Sequence, residues 1–246
     1  MVVTDDNFAS VFAAVEEGRV AFDNVRKTTF FLISGNAAAV LVVLTSLALG
    51  MPLPFVAVQL LWFNLVTNGV QDIALAFEPG EKHLIDRPPR PQREGIISPV
   101  LWERTALTAL VMTAGTLVLF QLQLDNGASI DEARSVALTT MVFFQALHVG
   151  NSRSETLSAF AKSPFSNRFL LIGTLGAMAI QVAALYLPLT QFALRLEPIS
   201  ARTWIEIVAV GLSVIVVAEL HKLMRARWPI GSRAGASPKQ TNPGGN

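Results

Sequence analysis

A band of polar residues interrupts an otherwise apolar segment, "LLWFNLVTNGVQDIALAFEPGE", at residues 60–81. At about 100° per residue, the side chains of this polar band share a helical arc of about 140°. Its members are Asn64, Thr67, Asn68, Gln71 and Asp72. Carboxylate, amide and hydroxyl oxygens bind hard cations, and polar groups in an apolar span usually face a bundle interior or a water-filled path. The band therefore favours an ion or proton site, with interhelical hydrogen bonding as the simpler alternative.

Three further residue types bear on this site. Gly69 lies within the band, where it either loosens the helix so that carbonyl oxygens can bind a cation, or lets another helix pack closely. Ser34 and Asn36, on the preceding apolar segment, are expected to meet the band across a hairpin. His148 ends another apolar segment, where we expect it to cap a helix or lie at the membrane interface, with a proton relay as the alternative.

The composition is that of a membrane protein. Of 246 residues, 52% are hydrophobic and 15% charged, whereas soluble domains have about 25% charged residues. The absence of cysteine excludes disulfides, thiolate metal sites and cysteine nucleophiles, and the three histidines argue against a histidine-rich metal site. A net charge of +1 indicates that no nucleic acid is a main partner.

Six apolar segments approach or exceed the roughly 20 residues that cross a bilayer. They predict an all-α membrane protein with six transmembrane helices in three hairpins, rather than a soluble helical bundle, so that the lipid bilayer is itself a partner. The predicted spans are residues 30–50, 55–77, 105–124, 133–150, 169–188 and 204–224. The fourth has the weakest signal, because it is short and contains Gln145 and His148.

The distribution of Lys and Arg predicts the orientation. With this topology, only Arg134, Arg195 and Arg202 of the 19 basic residues fall on the side opposite the termini. Both termini are therefore predicted to be cytoplasmic. We expect a short helical stalk within residues 1–29, a membrane domain at 30–225 and a disordered cytoplasmic tail at 226–246.

Three runs of sequence carry a family resemblance. "DDNFASVFAAVEEGRVAFDNVRK", "LISGN" and "LLWFNLVTNGVQDIALAFEP" resemble the C-terminal part of P-type cation-transporting ATPases of the calcium-pump type. The resemblance is dense over residues 1–80 and collinear to about residue 225. It implies that residues 1–29 form the end of the phosphorylation domain and its stalk, and that the six spans are the family's membrane helices five to ten. A bacterial plasma membrane is the expected location.

The family's phosphorylation, actuator and nucleotide-binding motifs do not occur in this sequence. The resemblance therefore implies no cofactor in this chain, with Mg²⁺ and ATP bound only by the remaining N-terminal part of the pump. By itself the chain is expected to be catalytically inactive.

The candidate cation-binding residues are Asn36, Asn64, Thr67, Asn68, Asp72 and Gln145. The first three match ligand positions of the family. Carboxylates of the family fall at Ala39, Asn68 and about Gln145, so three of them are neutral here. A calcium site takes several anionic oxygens. Asp72, one turn beyond Asn68, leaves one carboxylate among amides, which suits a monovalent cation or a proton better than two calcium ions.

The leading interpretation is the ion-translocating membrane portion of a P-type cation pump. The alternative is a non-catalytic membrane protein, a truncated pump or accessory subunit, that does not transport by itself. A passive channel or secondary transporter is less favoured, because the stalk would then have no purpose.

Overall fold

The computed structural model describes residues 8–80, 95–154 and 158–227. Over these residues the fold is all-α, as the sequence predicts, with two short 3-10 turns besides the α-helices. The α-helices are α1 (Phe8–Ala48), α2 (Ala57–Ala76), α3 (Pro99–Asp125), α4 (Ile130–Ser152), α5 (Arg168–Tyr186), α6 (Pro188–Leu194) and α7 (Ala201–Arg227). The expected tail lies outside the described residues from residue 228 onward.

Local sequence fixes several helix ends. Ser98, Ser129 and Asn167 precede α3, α4 and α5, and each side chain accepts a hydrogen bond from the backbone N–H three residues later. Such N-caps satisfy donors that the first helical turn leaves unpaired. Gly50 and Gly127 follow α1 and α3 with φ of 67° and 82°, a backbone region that glycine enters without strain. The turns after these two helices are consequently short.

Helix α1 joins the predicted stalk and the first predicted span. It is continuous over 41 residues, a length of about 60 Å. The stalk and the membrane segment are therefore one element, so that a displacement at one end of α1 is carried along its axis to the other.

Helix α4 lies at the centre of the bundle. It contacts α1, α2, α3, α5 and α7, and most of its side chains between Ala133 and Val149 are buried. A helix surrounded by other helices has little contact with lipid, so it tolerates Thr139, Thr140 and Gln145 where a lipid-facing helix would not.

Four helices of the described residues are long and apolar enough to cross a membrane, namely α1, α3, α5 and α7. Helices α2 and α4 have 20 and 23 residues but carry more polar side chains. On the outer surface, large apolar side chains such as Leu61, Leu110, Ile172 and Ile205 are exposed. These features describe a multi-pass membrane protein whose apolar surface faces lipid.

The helix contacts differ from three simple hairpins. Helices α1 and α2 pack together, as do α3 and α4. Helix α5, however, packs mainly on α2 and α4, and α7 on α3 and α4. Near the loop between α5 and α7, the indole N–H of Trp204 donates to the hydroxyl of Tyr186 at 3.2 Å. The last two long helices thus do not pack along each other as the predicted third hairpin would, because α5 has its largest contact with α2 and α7 has its largest contact with α4.

Candidate cation site

Three of the candidate residues form a polar ladder on α2. The amide of Asn68 donates to Oδ1 of Asn64 at 2.8 Å, and the hydroxyl of Thr67 lies 3.2 Å from Oδ1 of Asn68. Thr67 is buried, Asn68 half-buried and Asn64 exposed. The ladder therefore runs from the bundle interior to its surface and places side-chain oxygens on successive turns of one helix.

Asp72 lies one turn beyond Asn68 on the same face. Its carboxylate is half-buried, and the buried Oδ1 atom has no hydrogen-bond partner among the described residues. A carboxylate oxygen that is out of water and without a donor is costly, and a cation or a proton would satisfy it.

Gln145 is the second candidate whose polar atoms lack partners. Its side chain is fully buried in α4, and neither amide atom has a hydrogen-bond partner within the part of the chain that the structure describes. The amide points toward Gly35 of α1, where a Cβ would lie 1.7 Å from Nε2. Buried amides normally have partners, so this one is available to a ligand between α1 and α4.

Asn36 and Ser34 are not brought into hydrogen-bond contact with the polar band. Asn36, next to Gly35, is exposed. Ser34 is buried, but its hydroxyl donates to the carbonyl of Phe30 in its own helix at 2.7 Å. The expectation that both residues meet the band across the hairpin is therefore wrong for this structure, because Ser34 is satisfied locally and Asn36 faces outward.

The structure supports neither of the two sequence-based interpretations of Gly69, a loosened helix or close packing of another helix. Helix α2 continues through it without a break, so no carbonyl is freed. A Cβ at this position would meet nothing within 4 Å, so no helix packs closely there.

His148 is a core residue rather than a cap or an interfacial one. The ring is fully buried, stacks on Phe31 with centroids 5.8 Å apart, and meets the edge of Phe30 at 5.0 Å. The expectation of an interfacial position is wrong because α1 continues past the end of α4 and covers it.

A second buried polar cluster, which the sequence analysis did not identify, joins α2, α4 and α5. The indole N–H of Trp62 donates to Oε1 of Gln181 at 2.9 Å, and Nε2 of Gln181 donates to Thr139 at 3.0 Å. These groups satisfy one another, so the cluster is a helix–helix contact. Each helix contributes one polar residue to it, and a single polar residue on an apolar helix gives no sequence signal for its partner.

Acidic ligands are scarce. Within the described ranges, no group of three or more His, Cys, Asp and Glu side chains converges to hold a metal ion. Ligands for a cation in this bundle would therefore be mostly neutral oxygens, with Asp72 as the charged one.

Long apolar helices packed around partly buried polar side chains define the chain as a multi-pass membrane protein. Residues 52–224 match the family described as cation transporting ATPase, C-terminus. The chain belongs to this family, which confirms the resemblance to the C-terminal membrane region of P-type cation pumps.

Curated relatives agree with this assignment. A probable cation-transporting ATPase F of Mycobacterium tuberculosis is 37% identical over 91% of this chain and 25% of its own length. A calcium-transporting ATPase of Bacillus subtilis is 33% identical over 87% of the chain and 24% of its own length. The mouse calcium-transporting ATPase type 2C member 2 is 32% identical over 91% of the chain and 24% of its own length. The chain thus spans about a quarter of the length of these relatives.

Proposed function

We propose that this chain forms the cation-translocating membrane portion of a P-type ATPase and acts together with an N-terminal part that binds Mg²⁺ and ATP. Family membership supports the class of protein. The observation that carries the proposal is a set of polar groups in the bundle. It comprises the ladder from the exposed Asn64 through Asn68 to the buried Thr67, together with Oδ1 of Asp72 and the amide of Gln145, which have no hydrogen-bond partner among the described residues.

The transported cation is the substrate of this site. Its proposed ligands are Asn64, Thr67, Asn68, Asp72 and Gln145; the remaining candidate from the sequence, Asn36, is exposed and faces away from the band. With a single carboxylate, the site favours a monovalent cation or a proton over calcium, which takes several anionic oxygens. Calcium remains a required arm of the test, because two of the relatives above are named calcium-transporting ATPases.

The same proposal includes the topology. All six long helices cross a bacterial plasma membrane, with both termini in the cytoplasm and residues 1–29 leading from the phosphorylation domain. The lengths of α2 and α4, the shielding of α4 from lipid and the one-sided distribution of Lys and Arg support it.

The decisive experiment joins this chain to the N-terminal three quarters of the Bacillus subtilis relative and measures ATP hydrolysis in membrane vesicles. Calcium, sodium, potassium and pH are varied separately. Asp72→Asn should abolish the cation-stimulated rate while leaving the thermal unfolding of the protein unchanged. Asp125→Asn is the matched control, because that carboxylate is exposed at the end of α3 and accepts from Gln121 at 2.8 Å. If Asp72→Asn behaves as the wild type under every condition, the band only holds helices together.

A further inference from the structure

A buried ion pair fastens the end of the helix that carries the polar band. Glu78 lies two residues beyond the end of α2, and its side chain is 1% exposed. Nε and Nη2 of Arg153 each lie 2.9 Å from its Oε1 atom, and the amide of Asn167 donates to Oε2 at 2.9 Å. Both carboxylate oxygens are therefore paired.

The backbone at the end of α2 is held by the same group of residues. The amide of Asn24, on α1, donates to the carbonyls of Ala76 and Glu78 at 3.1 and 2.7 Å. The amide of Asn167, the N-cap of α5, donates to the carbonyl of Ala74 at 2.9 Å. The last carbonyls of a helix have no partner within it, so these bonds tie the end of α2 to two other helices.

Arg153 connects this end of α2 to α4. It is the C-cap residue of α4 and is 7% exposed. A third nitrogen, Nη1, donates to the carbonyl of Ser163 at 3.0 Å, and Lys162 donates to the carbonyl of Arg153 at 2.9 Å. The pair therefore joins α2 and α4 and is surrounded by the segment that leads into α5.

We infer that the Glu78–Arg153 pair positions α2 against α4 and so sets the spacing of the cation ligands, an inference that rests on the proposed function. Asp72 precedes Glu78 by six residues, and Gln145 precedes Arg153 by eight. Of these separations, four residues or about 6 Å are helix from Asp72 to the end of α2 at Ala76, and seven residues or about 10 Å are helix from Gln145 to the end of α4 at Ser152. A shift at the pair is thus carried to both side chains by rigid helix.

The chemistry favours positioning over stabilisation alone. Burying two charges costs solvation that their attraction only partly offsets, so a buried pair is weak evidence for stability, and fixing a geometry is its better-attested role. Here the pair joins the two helices that contribute five of the six candidate ligands, Asn64, Thr67, Asn68, Asp72 and Gln145.

The first test measures geometry in the full chain in lipid nanodiscs. The chain has no cysteine, so spin labels can be placed at Ile73→Cys on α2 and Gly150→Cys on α4. Ile73 is exposed, and a Cβ at position 150 meets nothing within 4 Å. Glu78→Gln and Arg153→Gln should each broaden or shift the label distance distribution. Glu206→Gln should not, because Glu206 pairs with the exposed Arg202 of its own helix α7 and accepts a hydrogen bond from Gln123 of α3 at 3.4 Å, so its contacts lie outside the α2–α4 interface.

The second test uses the joined transporter described above. Glu78→Gln should raise the cation concentration that half-saturates ATP hydrolysis by about tenfold, with a smaller effect on the maximal rate per folded protein. Both substitutions break the same Glu78–Arg153 contact. The half-saturating concentration should therefore rise less in the double variant Glu78→Gln/Arg153→Gln than the product of the two single effects.

Two results would overturn the inference: an unchanged distance distribution, or an unchanged half-saturating concentration in variants that only unfold at lower temperature. An inactive wild-type transporter would count against the proposed function instead, and the label distances would still decide whether the pair positions α2.

Discussion

The Nε2 atom of Gln145 occupies the space that a side chain at Gly35 would need, since a Cβ there would lie 1.7 Å away. Gly35 of α1 therefore allows α4 to bring a fully buried amide against the α1 backbone. Neither amide atom has a hydrogen-bond partner among the described residues. The glycine thus accommodates a buried polar group that makes no hydrogen bond to any described residue, which is why Gln145 is one of the proposed cation ligands.

Gly35→Ala should displace the Gln145 amide. We expect the half-saturating cation concentration of the joined transporter to rise about tenfold, with a loss of about 1–3 kcal/mol in stability from overpacking. The measurements are cation-stimulated ATP hydrolysis and thermal unfolding. Combining Gly35→Ala with Gln145→Ala should weaken cation activation no further than Gln145→Ala alone.

The matched control is Gly176→Ala in α5, where a Cβ meets nothing within 4 Å. It should leave cation activation unchanged. If Gly35→Ala lowers the unfolding temperature and leaves the half-saturating concentration at the wild-type value, Gln145 is not a ligand.

Gly69→Ala should be tolerated, although the residue lies inside the polar band. Helix α2 is continuous there and the added methyl group has open space. Alanine stabilises an exposed helix interior by about 1 kcal/mol relative to glycine. The variant should therefore unfold at an equal or higher temperature and keep its cation activation. Loss of activation in a stable protein would instead show that α2 opens at Gly69 in another state of the transport cycle.

The helices and the polar band could be predicted from the sequence because both depend on local patterns. Long apolar runs bounded by polar residues and glycines predict helices, and each predicted span coincides largely with one helix, although α1 begins 22 residues before the first predicted span and α3 six residues before the third. The arc of Asn64, Thr67 and Asn68 follows from the helical period alone, and their mutual contacts are one turn apart or less. Local periodicity is therefore sufficient for these features.

Contacts between segments that are distant in the sequence could not be predicted from it. Arg153 was counted only as a cytoplasmic charge, yet it pairs with Glu78, which is 75 residues away. His148 lies at the end of an apolar segment in the sequence, which predicts a helix end, but it is buried because α1 continues past it. Which residue covers a polar group depends on helix packing, which hydropathy does not encode.

Cysteine labelling tests the topology, and the structure selects better positions than the N-caps Ser98 and Ser129. Asn126 and Gly95 are exposed beyond the ends of α3, and the side chain of Asn126 makes no hydrogen bond to any described residue. With cytoplasmic termini, Asn126→Cys should react with a membrane-impermeant maleimide in intact cells. Gly95→Cys should react only after the cells are opened. The reverse pattern would invert the proposed orientation, and equal reaction in intact cells would show that α3 does not cross the membrane.

Asn68→Asp should change the preferred cation. The substitution removes the amide N–H of Asn68, which donates to Oδ1 of Asn64 at 2.8 Å in the wild type. It also places a second carboxylate one turn before Asp72. Two carboxylates at this spacing repel each other, and a divalent cation with its demand for anionic oxygens relieves the repulsion. The calcium concentration that half-saturates ATP hydrolysis should then fall by at least about tenfold relative to the wild type. Sodium and potassium should stimulate ATP hydrolysis less than they do in the wild type. Asn68→Ala is the control, because it removes the same hydrogen bond without adding charge and should weaken activation by every cation alike. Identical cation profiles for Asn68→Asp and Asn68→Ala would show that residue 68 does not bind the transported ion.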